Sequence, residues 1–489
     1  MNKKFFMDLS ANTLQVLVNQ FLGVFIFLLV SRYLNKPLFG ELSWSLAVLT
    51  FMTTILSCRL EQIVVRNVAA GDDPSRMLTL FALHNGVIGL AFFAVLSISM
   101  YCWPAFFLRH SLLWVLSIGQ LLLFFSMPFR QLLTGHSAFI WLALLSSVSN
   151  LIRAVWLFLL VMVSRLTLEW VLIVFTVSAL VELLAGVWIV CRRLGIPVSR
   201  QWRFPDYVLL IRTSLPQIGL VFLNAGIARA DLILLGLLST PARTAEYGFA
   251  YRAYEFSPFP LLVLAPFILN RLAKKAGNGA SEVGFSPLAL DLLVRGEMIL
   301  STLLPLLFVI AWAPAMDLLT GGKYGTSNVS VFLILCCCLP FQYLINLFWS
   351  QEFACNRLSL VFRHTVIMAI IILAGDGVLI PLYAGTGAAL AYCMGMIVQF
   401  ILYYRTSSFQ RKSLWVRYLA TSIGIAVCSG LSALLLTDSP VFRLMAATGL
   451  YCLLSLLTGM VRSKDPVELR EWILGVPEEP VLATPDKMY

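Results

Sequence analysis

The feature that most constrains this chain is a succession of about fourteen apolar segments, each long enough to cross a bilayer and separated by short loops. The hydrocarbon core of a membrane requires about 20 apolar residues per α-helix. The segments are continuous apolar runs without the alternation of barrel strands, so helices are favoured. The sequence therefore predicts an all-α polytopic membrane protein with about 14 transmembrane helices, at approximately residues 10–33, 40–66, 77–102, 111–133, 138–164, 169–191, 211–238, 244–270, 290–313, 327–349, 358–382, 384–405, 415–436 and 441–461.

The composition excludes several classes of function. The chain is 60% hydrophobic and 12% charged, whereas soluble domains are about 25% charged. No stretch is long and polar enough to form a soluble catalytic domain, so we do not expect an enzyme. No Gly-rich phosphate loop occurs, which argues against a nucleotide-driven pump. The ten cysteines lie mostly within apolar segments and lack metal-ligand spacing, so we expect no metal and no cofactor.

The distribution of basic residues predicts the orientation. Cytoplasmic loops of membrane proteins collect Lys and Arg, which explains the net charge of +11 without nucleic acid as a partner. With the N-terminus in the cytoplasm, most of the 35 Lys and Arg residues lie inside, and only Arg32, Lys36, Arg109, Arg165, Arg243, Lys323 and Arg443 lie outside. We therefore predict that both termini are cytoplasmic and that the number of spans is even.

Weak internal repetition predicts two halves. Pro128-Phe129 in span four matches Pro340-Phe341 in span ten, and Phe39-Gly40 matches Tyr247-Gly248 six spans later. A common offset of six spans is typical of transporters built from two parallel repeats. The predicted organisation is an N-terminal six-helix lobe at 1–191, a cytoplasmic connecting loop at 192–210, a second six-helix lobe at 211–405, two additional helices at 406–461 and a cytoplasmic tail at 462–489.

Four arginines fall within the predicted spans: Arg59 toward the inner leaflet, Arg153 and Arg229 near the midplane, and Arg252 toward the outer leaflet. An Arg in the membrane costs several kcal/mol, so it usually faces protein or a water-filled interior. Since Arg binds phosphate oxygens in a bidentate way, these four residues are predicted to bind an anionic substrate, plausibly a phosphate ester. The alternative is that each arginine pairs with an acid. Arg252 and Glu255, at i,i+3, are suited to such a pair.

Buried acids and prolines complete the set of candidate residues. Asp231, Glu255 and Glu61 are the predicted ion-coupling residues, for a gradient of H+ or Na+; Glu182, Glu297 and Asp376 are the other buried acids. Intramembrane acids either carry ions or serve as internal counter-ions, and both interpretations stay open. Span eight contains Pro258, Pro260 and Pro266, which predicts a bend and a possible gate or hinge.

Four short blocks resemble a known family. Phe39–Ser43, Arg229–Gly236, Glu246–Ala250 and Ile380–Ala391 are similar to segments of the multidrug/oligosaccharidyl-lipid/polysaccharide superfamily, and within it of the O-antigen (Wzx-like) repeat-unit flippases. The resemblance implies two six-helix lobes around a central cationic cavity, plus two C-terminal helices. It also implies export of undecaprenyl-diphosphate-linked oligosaccharide from the cytoplasmic to the periplasmic leaflet of the bacterial inner membrane, in lipopolysaccharide or related polysaccharide biosynthesis, alongside a polysaccharide polymerase and a chain-length regulator.

Alternative functions remain at this point. A lipid II flippase or a multidrug antiporter of the same superfamily is the first, although an antiporter for organic cations should have an acidic cavity. The second is a membrane O-antigen polymerase or ligase. Such an enzyme needs a substantial outer loop for its catalytic residues, and the predicted outer loops are all short.

Overall fold

The computed structural model describes residues 3–199, 203–261, 264–265, 268–269, 272 and 287–462, with side chains throughout except at 3–16, 216–217, 220 and 287–289. In these residues the chain is helical and contains no strand. Seventeen α-helices are named here: α1 Lys3–Tyr33, α2 Lys36–Leu56, α3 Leu60–Ala69, α4 Pro74–Cys102, α5 Pro104–Arg109, α6 Leu112–Gly135, α7 Phe139–Met162, α8 Leu168–Val187, α9 Phe204–Leu238, α10 Pro241–Tyr254, α11 Pro287–Thr320, α12 Val329–Cys336, α13 Leu339–Ala354, α14 Leu358–Tyr383, α15 Gly385–Thr406, α16 Lys412–Leu436 and α17 Pro440–Leu457.

The prediction of an all-α polytopic membrane protein is confirmed. Twelve helices of the described chain are long and apolar enough to cross a membrane, and Leu17–Tyr33 forms a shorter apolar helix. Span eight is not among the twelve, because α10 is short and much of the chain after residue 261 lies outside the described residues. The predicted tail beyond residue 462 also lies outside them.

Prolines end two helices inside predicted spans. The ring of a proline clashes with the carbonyl four residues earlier in a continuous helix. Pro258 is four residues after Tyr254, where α10 ends, and Pro340 is four residues after Cys336, where α12 ends. After Tyr254 the chain turns, and the Ser257 amide donates to the Tyr254 carbonyl at 2.8 Å. Span eight is therefore interrupted at residues 255–258; Pro266 lies outside the described residues, and the gating role stays a prediction.

The chain divides into two compact units that do not follow chain order. Unit 1 comprises Met1–Ala253, Trp312–Leu335 and Thr365–Gly395, and unit 2 comprises Tyr254–Ala311, Cys336–His364 and Met396–Tyr489. The division into lobes at 1–191 and 211–405 stays a prediction.

Helices α2, α9 and α10 of unit 1 approach one another closely because glycines lie at their contacts. A Cβ on Gly40 would lie 1.8 Å from the carbonyl oxygen of Pro241, and a Cβ on Gly236 would lie 1.9 Å from the Trp44 ring. The Trp44 indole donates to the Ile233 carbonyl at 2.9 Å. The glycines of the Phe39-Gly40 block and of the Arg229–Gly236 block are therefore packing positions.

Polar contacts join the ends of unit 1 helices at the side predicted to face outward. Lys36 forms an ion pair with Glu246 at 2.7 Å, and Asn328 donates to the Glu246 carbonyl at 3.0 Å. Arg32 donates to the carbonyl of Leu319 in the last turn of α11 at 2.9 Å. A cation there is favourable because the final carbonyls of a helix have no intrahelical partner.

The core of unit 2 contains an aromatic cluster beside a polar network. The ring of Trp415 lies 4.7 Å from Phe409 and 6.0 Å from Phe348. Nearby, the Gln351 amide accepts from Ser407 at 3.0 Å and donates to the Ser408 hydroxyl at 2.8 Å. The two hydroxyls thereby satisfy a buried amide at the end of α13.

Replacing Gly40 by alanine should destabilise the protein. The added methyl group collides with backbone, which cannot rotate away, and overpacking of this kind costs about 1–3 kcal/mol. Gly86→Ala is the matched control, since a Cβ there meets nothing within 4 Å. Thermal unfolding of the purified variants in detergent checks this expectation. Equal melting temperatures for the two variants would contradict the close approach of α2 and α10.

Candidate functional site

Arg59 lies at a break in the second span. Cys58 and Arg59 adopt the left-handed conformation, with φ of 50° and 61°, and separate α2 from α3. Left-handed conformations are uncommon for residues other than glycine and cost of order 1–3 kcal/mol each. Such strain persists only where surrounding structure imposes it, and it clusters at functional sites. The break therefore marks the predicted substrate residue Arg59 as a position of special geometry.

A histidine clamp holds this break. The Nε2 of His84 lies 2.8 Å from the carbonyl oxygen of Leu56, the last residue of α2, and its Nδ1 lies 2.9 Å from the Tyr207 hydroxyl. Because a carbonyl only accepts, Nε2 carries a proton and donates. In the neutral imidazole Nδ1 then accepts from Tyr207. His84 is buried and connects α2, α4 and α9 at the point where the backbone is strained.

The side chain of Arg59 has no acidic partner. Within the described residues it forms no ion pair or hydrogen bond, and its Nε is buried without a partner. It borders a cavity of about 10 Å³, enough for about one water molecule, lined by Ile55, Cys58, Arg59, Ile218, Val221 and Phe222. The interpretation of Arg59 as one half of a helix-locking salt bridge therefore has no support in this part of the chain. The guanidinium retains its capacity to bind an anion.

Arg153 has internal partners. Its Nε donates to the Ser178 hydroxyl at 2.6 Å, and its guanidinium lies 5.2 Å from the centre of the Phe175 ring. Glu182 and Arg130 are close enough for their charges to act on Arg153, and Arg130 pairs with Glu182 at 3.4 Å. One carboxylate thus faces two arginines, so this cluster keeps excess positive charge.

Asp231 forms part of a carboxyl pair. It is fully buried on α9, accepts a hydrogen bond from the Tyr247 hydroxyl on α10 and caps the amide of Leu232 at 2.8 Å. Asp376 on α14 lies close enough for the two charges to interact. It is also fully buried, and neither of its oxygens has a hydrogen-bond partner among the described residues. Three helices of unit 1 therefore bring two carboxyl groups and a phenol together.

The structure places the remaining predicted residues as follows. Arg229, Arg252 and Glu255 are half-buried. Glu255 lies in the turn after α10, and its pairing with Arg252 stays a prediction. Glu61 is in the first turn of α3, where the helix dipole favours an acid. Within the described residues, no three His, Cys, Asp or Glu side chains gather as a metal site would require.

Sequence reasoning missed three polar residues that organise these sites, His84, Tyr207 and Tyr247, and left the role of a fourth, Asp376, open. Tyr247 was noted only as part of a repeat, and Asp376 only as one of several buried acids. His84 is a single imidazole in an apolar span, which carries no motif. Each acquires a role through a partner far away in sequence, such as Asp376 for Asp231.

The apolar helices define a polytopic membrane protein. The model of the polysaccharide biosynthesis protein family matches residues 7–268, and the chain belongs to this family. No curated protein sequence matches the chain significantly.

Solved structures show the same fold. The lipid II flippase MurJ, in an inward closed conformation, matches with a TM-score of 0.72 at 14% identity, over 94% of this chain and 99% of that one. A multidrug resistance MATE family transporter of the MOP superfamily, inward-facing, matches with a TM-score of 0.63 at 14% identity, over 82% and 96%. A Vibrio cholerae MATE transporter matches with a TM-score of 0.54 at 13% identity, over 82% and 96%. The predicted resemblance to the flippase superfamily is confirmed.

Removing the clamp should open the break at Cys58. With His84→Ala the Leu56 carbonyl loses its donor, and with Tyr207→Phe the imidazole loses its anchor, so the strained residues relax. We expect the half-buried Cys58 thiol to react several-fold faster with a maleimide, measured by mass spectrometry of the Cys58 peptide in membranes. Tyr101→Phe, at a ring that is 87% exposed, is the control. Unchanged labelling in both clamp variants would show that His84 does not hold the break.

Proposed function

We propose that this protein moves a lipid-linked oligosaccharide from the inner to the outer leaflet of the bacterial inner membrane. The proposed substrate is an undecaprenyl-diphosphate-linked repeat unit of O-antigen or a related surface polysaccharide. The observation that carries the proposal is Arg59: a guanidinium without an acidic partner in the described chain, held at a strained helix break of a membrane span. Membership in the polysaccharide biosynthesis protein family supports a glycan as the passenger.

The chemistry of such a passenger matches the residues. Its diphosphate requires bidentate donors, which arginine supplies, and Arg59 offers a guanidinium that is not occupied by a carboxylate. Arg153 adds positive charge, because it shares Glu182 with Arg130. We propose Arg229 and Arg252 as further positions on the same path. Alternating access then moves the head group without breaking a bond.

The carboxyl pair supports coupling to an ion gradient. Two buried carboxyl groups close together cannot both ionise at low cost, so the pair holds a proton or another cation. Asp231 and Asp376 meet this condition. We propose that this pair exchanges H+ or Na+ during the cycle and that Tyr247 orients Asp231. Glu61 and Glu255 are the other proposed coupling residues.

A lipid II flippase is the second candidate. The substrate of such a flippase is also a diphosphate-linked polyprenol, and the lipid II flippase MurJ has the same fold over 94% of this chain. The head group of the substrate distinguishes the two functions. Reconstituted protein should therefore be assayed with undecaprenyl-diphosphate-linked repeat units and with lipid II in parallel.

Arg59→Ala should abolish transport while leaving insertion intact. Loss of a charged donor to a buried phosphate costs about 2–5 kcal/mol, which corresponds to at least a tenfold loss of rate or affinity. Proteoliposomes containing fluorescent undecaprenyl-diphosphate-linked oligosaccharide measure the flipped fraction. Arg59→Lys, which keeps the charge but not the bidentate geometry, should retain partial activity, and Arg229→Ala should also fail. Normal transport by both alanine variants would exclude a cationic path through these residues.

Asp231→Asn and Asp376→Asn should each reduce the dependence of transport on the coupling ion. Neutralising one carboxyl removes the charge that binds the cation. The transport rate should then depend less on pH at a fixed Na+ concentration, or less on the Na+ concentration at a fixed pH. The same proteoliposomes measure both series. Asp438→Asn is the control, because this acid is fully solvent-exposed in a loop. If both variants keep the wild-type profiles, the pair does not carry the ion.

A further inference from the structure

Glu297 is a buried carboxyl group that is not part of the pair formed by Asp231 and Asp376 in unit 1. It lies in the unit 2 part of α11 and is 1% exposed. Neither of its oxygens has a hydrogen-bond partner in the chain that the structure describes. An ionised carboxylate without a donor or counter-ion in an apolar interior is strongly disfavoured, and such a group neutralises instead.

The group that faces Glu297 is a phenol. Tyr343 on α13 is 1% exposed and lies close enough to Glu297 for their charges to interact, with its hydroxyl beside the backbone of Leu261. A phenol accepts from a protonated carboxyl group and donates to an ionised one. Tyr343 is thus suited to both protonation states of Glu297.

Other charged and titratable groups of unit 2 lie on α11, α16 and α17. On α11, Arg295 is two residues from Glu297, about 200° around the helix. Asp291 accepts from the Tyr418 hydroxyl of α16 at 2.9 Å. From α17, the Tyr451 hydroxyl pairs with Thr302 at 2.7 Å.

We propose that Glu297, beside Tyr343, is a second proton-binding site of the protein: protonated in the conformation described here, and ionised when water reaches it. The step releases one proton from the carboxyl oxygen to water, and the Tyr343 hydroxyl then donates to the carboxylate. A metal cation is a poorer occupant, since one carboxyl and one phenol supply too few oxygens to replace its hydration shell. The role of this proton in transport rests on the proposed function; the protonation itself does not.

Infrared spectroscopy of the purified protein in lipid tests the protonation directly. The wild type should show a carbonyl-stretch band of a buried carboxylic acid at neutral pH that is lost as the pH rises. Glu297→Gln, which has the shape of the neutral acid, should lack one such band, and Tyr343→Phe should shift its titration. Glu182→Gln is the matched control: Glu182 is equally deep but accepts from Ser126 and Arg130, so its removal should leave the acid bands unchanged. The proposal is overturned if the spectra of the wild type and of Glu297→Gln coincide at every pH. It is also overturned if the band assigned to Glu297 does not change with pH.

Transport measurements then separate this site from the proposed function. In proteoliposomes Glu297→Gln should give a flatter pH profile than the wild type. If the wild type moves no lipid-linked oligosaccharide, the proposed function fails while the infrared result stands by itself. If the wild type is active and Glu297→Gln reproduces its pH profile, the proton on Glu297 plays no part in the cycle.

Discussion

The lack of water in the bilayer core is the constraint on which the rest of this structure depends. A polar group that leaves water must find its partner within the protein, because lipid offers none. The protein meets this requirement with side-chain-to-backbone bonds between helices distant in sequence. The Trp44 indole donates to a carbonyl of α9, and the Asn85 amide donates to the Phe124 carbonyl at 2.7 Å. These bonds fix the relative positions of helices whose apolar surfaces alone would slide over one another.

Close packing provides the second means of fixing helices. Lipid tails are as apolar as leucine, so association in a membrane relies on van der Waals contact, and small residues allow helices to approach closely. Gly40 and Gly236 perform this role between α2, α9 and α10. The same helices carry Asp231 and Tyr247, whose hydrogen bond requires this short separation. The packing glycines and the carboxyl group of Asp231 are therefore parts of one arrangement, and the Arg229–Gly236 block contains Asp231 and Gly236.

The apolar runs predicted the membrane helices because length and hydropathy are properties of each segment alone. The break in span eight was predicted for the same reason, since Pro258 acts on a carbonyl only four residues away. The break at Cys58 and Arg59 could not be predicted from the sequence. No glycine or proline marks it, and its left-handed backbone is held by His84 and Tyr207, which lie on other helices. The intramembrane charge identified Arg59 as a candidate, but only the structure reveals that Arg59 has no acid partner among the described residues, whereas Arg130 has Glu182.

The buried ionisable groups consequently fall into two sets. In the first, partners within the fold satisfy the charge, as Glu182 does for Arg130. In the second, the fold leaves the charge without a donor or counter-ion among the described residues, as for Arg59, Asp376 and Glu297. A passive scaffold gains nothing from the second set, because each such group costs free energy that an apolar residue of similar size would not. The proposed transport cycle gives the second set a use. An anion would complete the guanidinium and a proton or cation would complete the carboxyl groups, and each ligand would then have a differential affinity for the conformations of the protein.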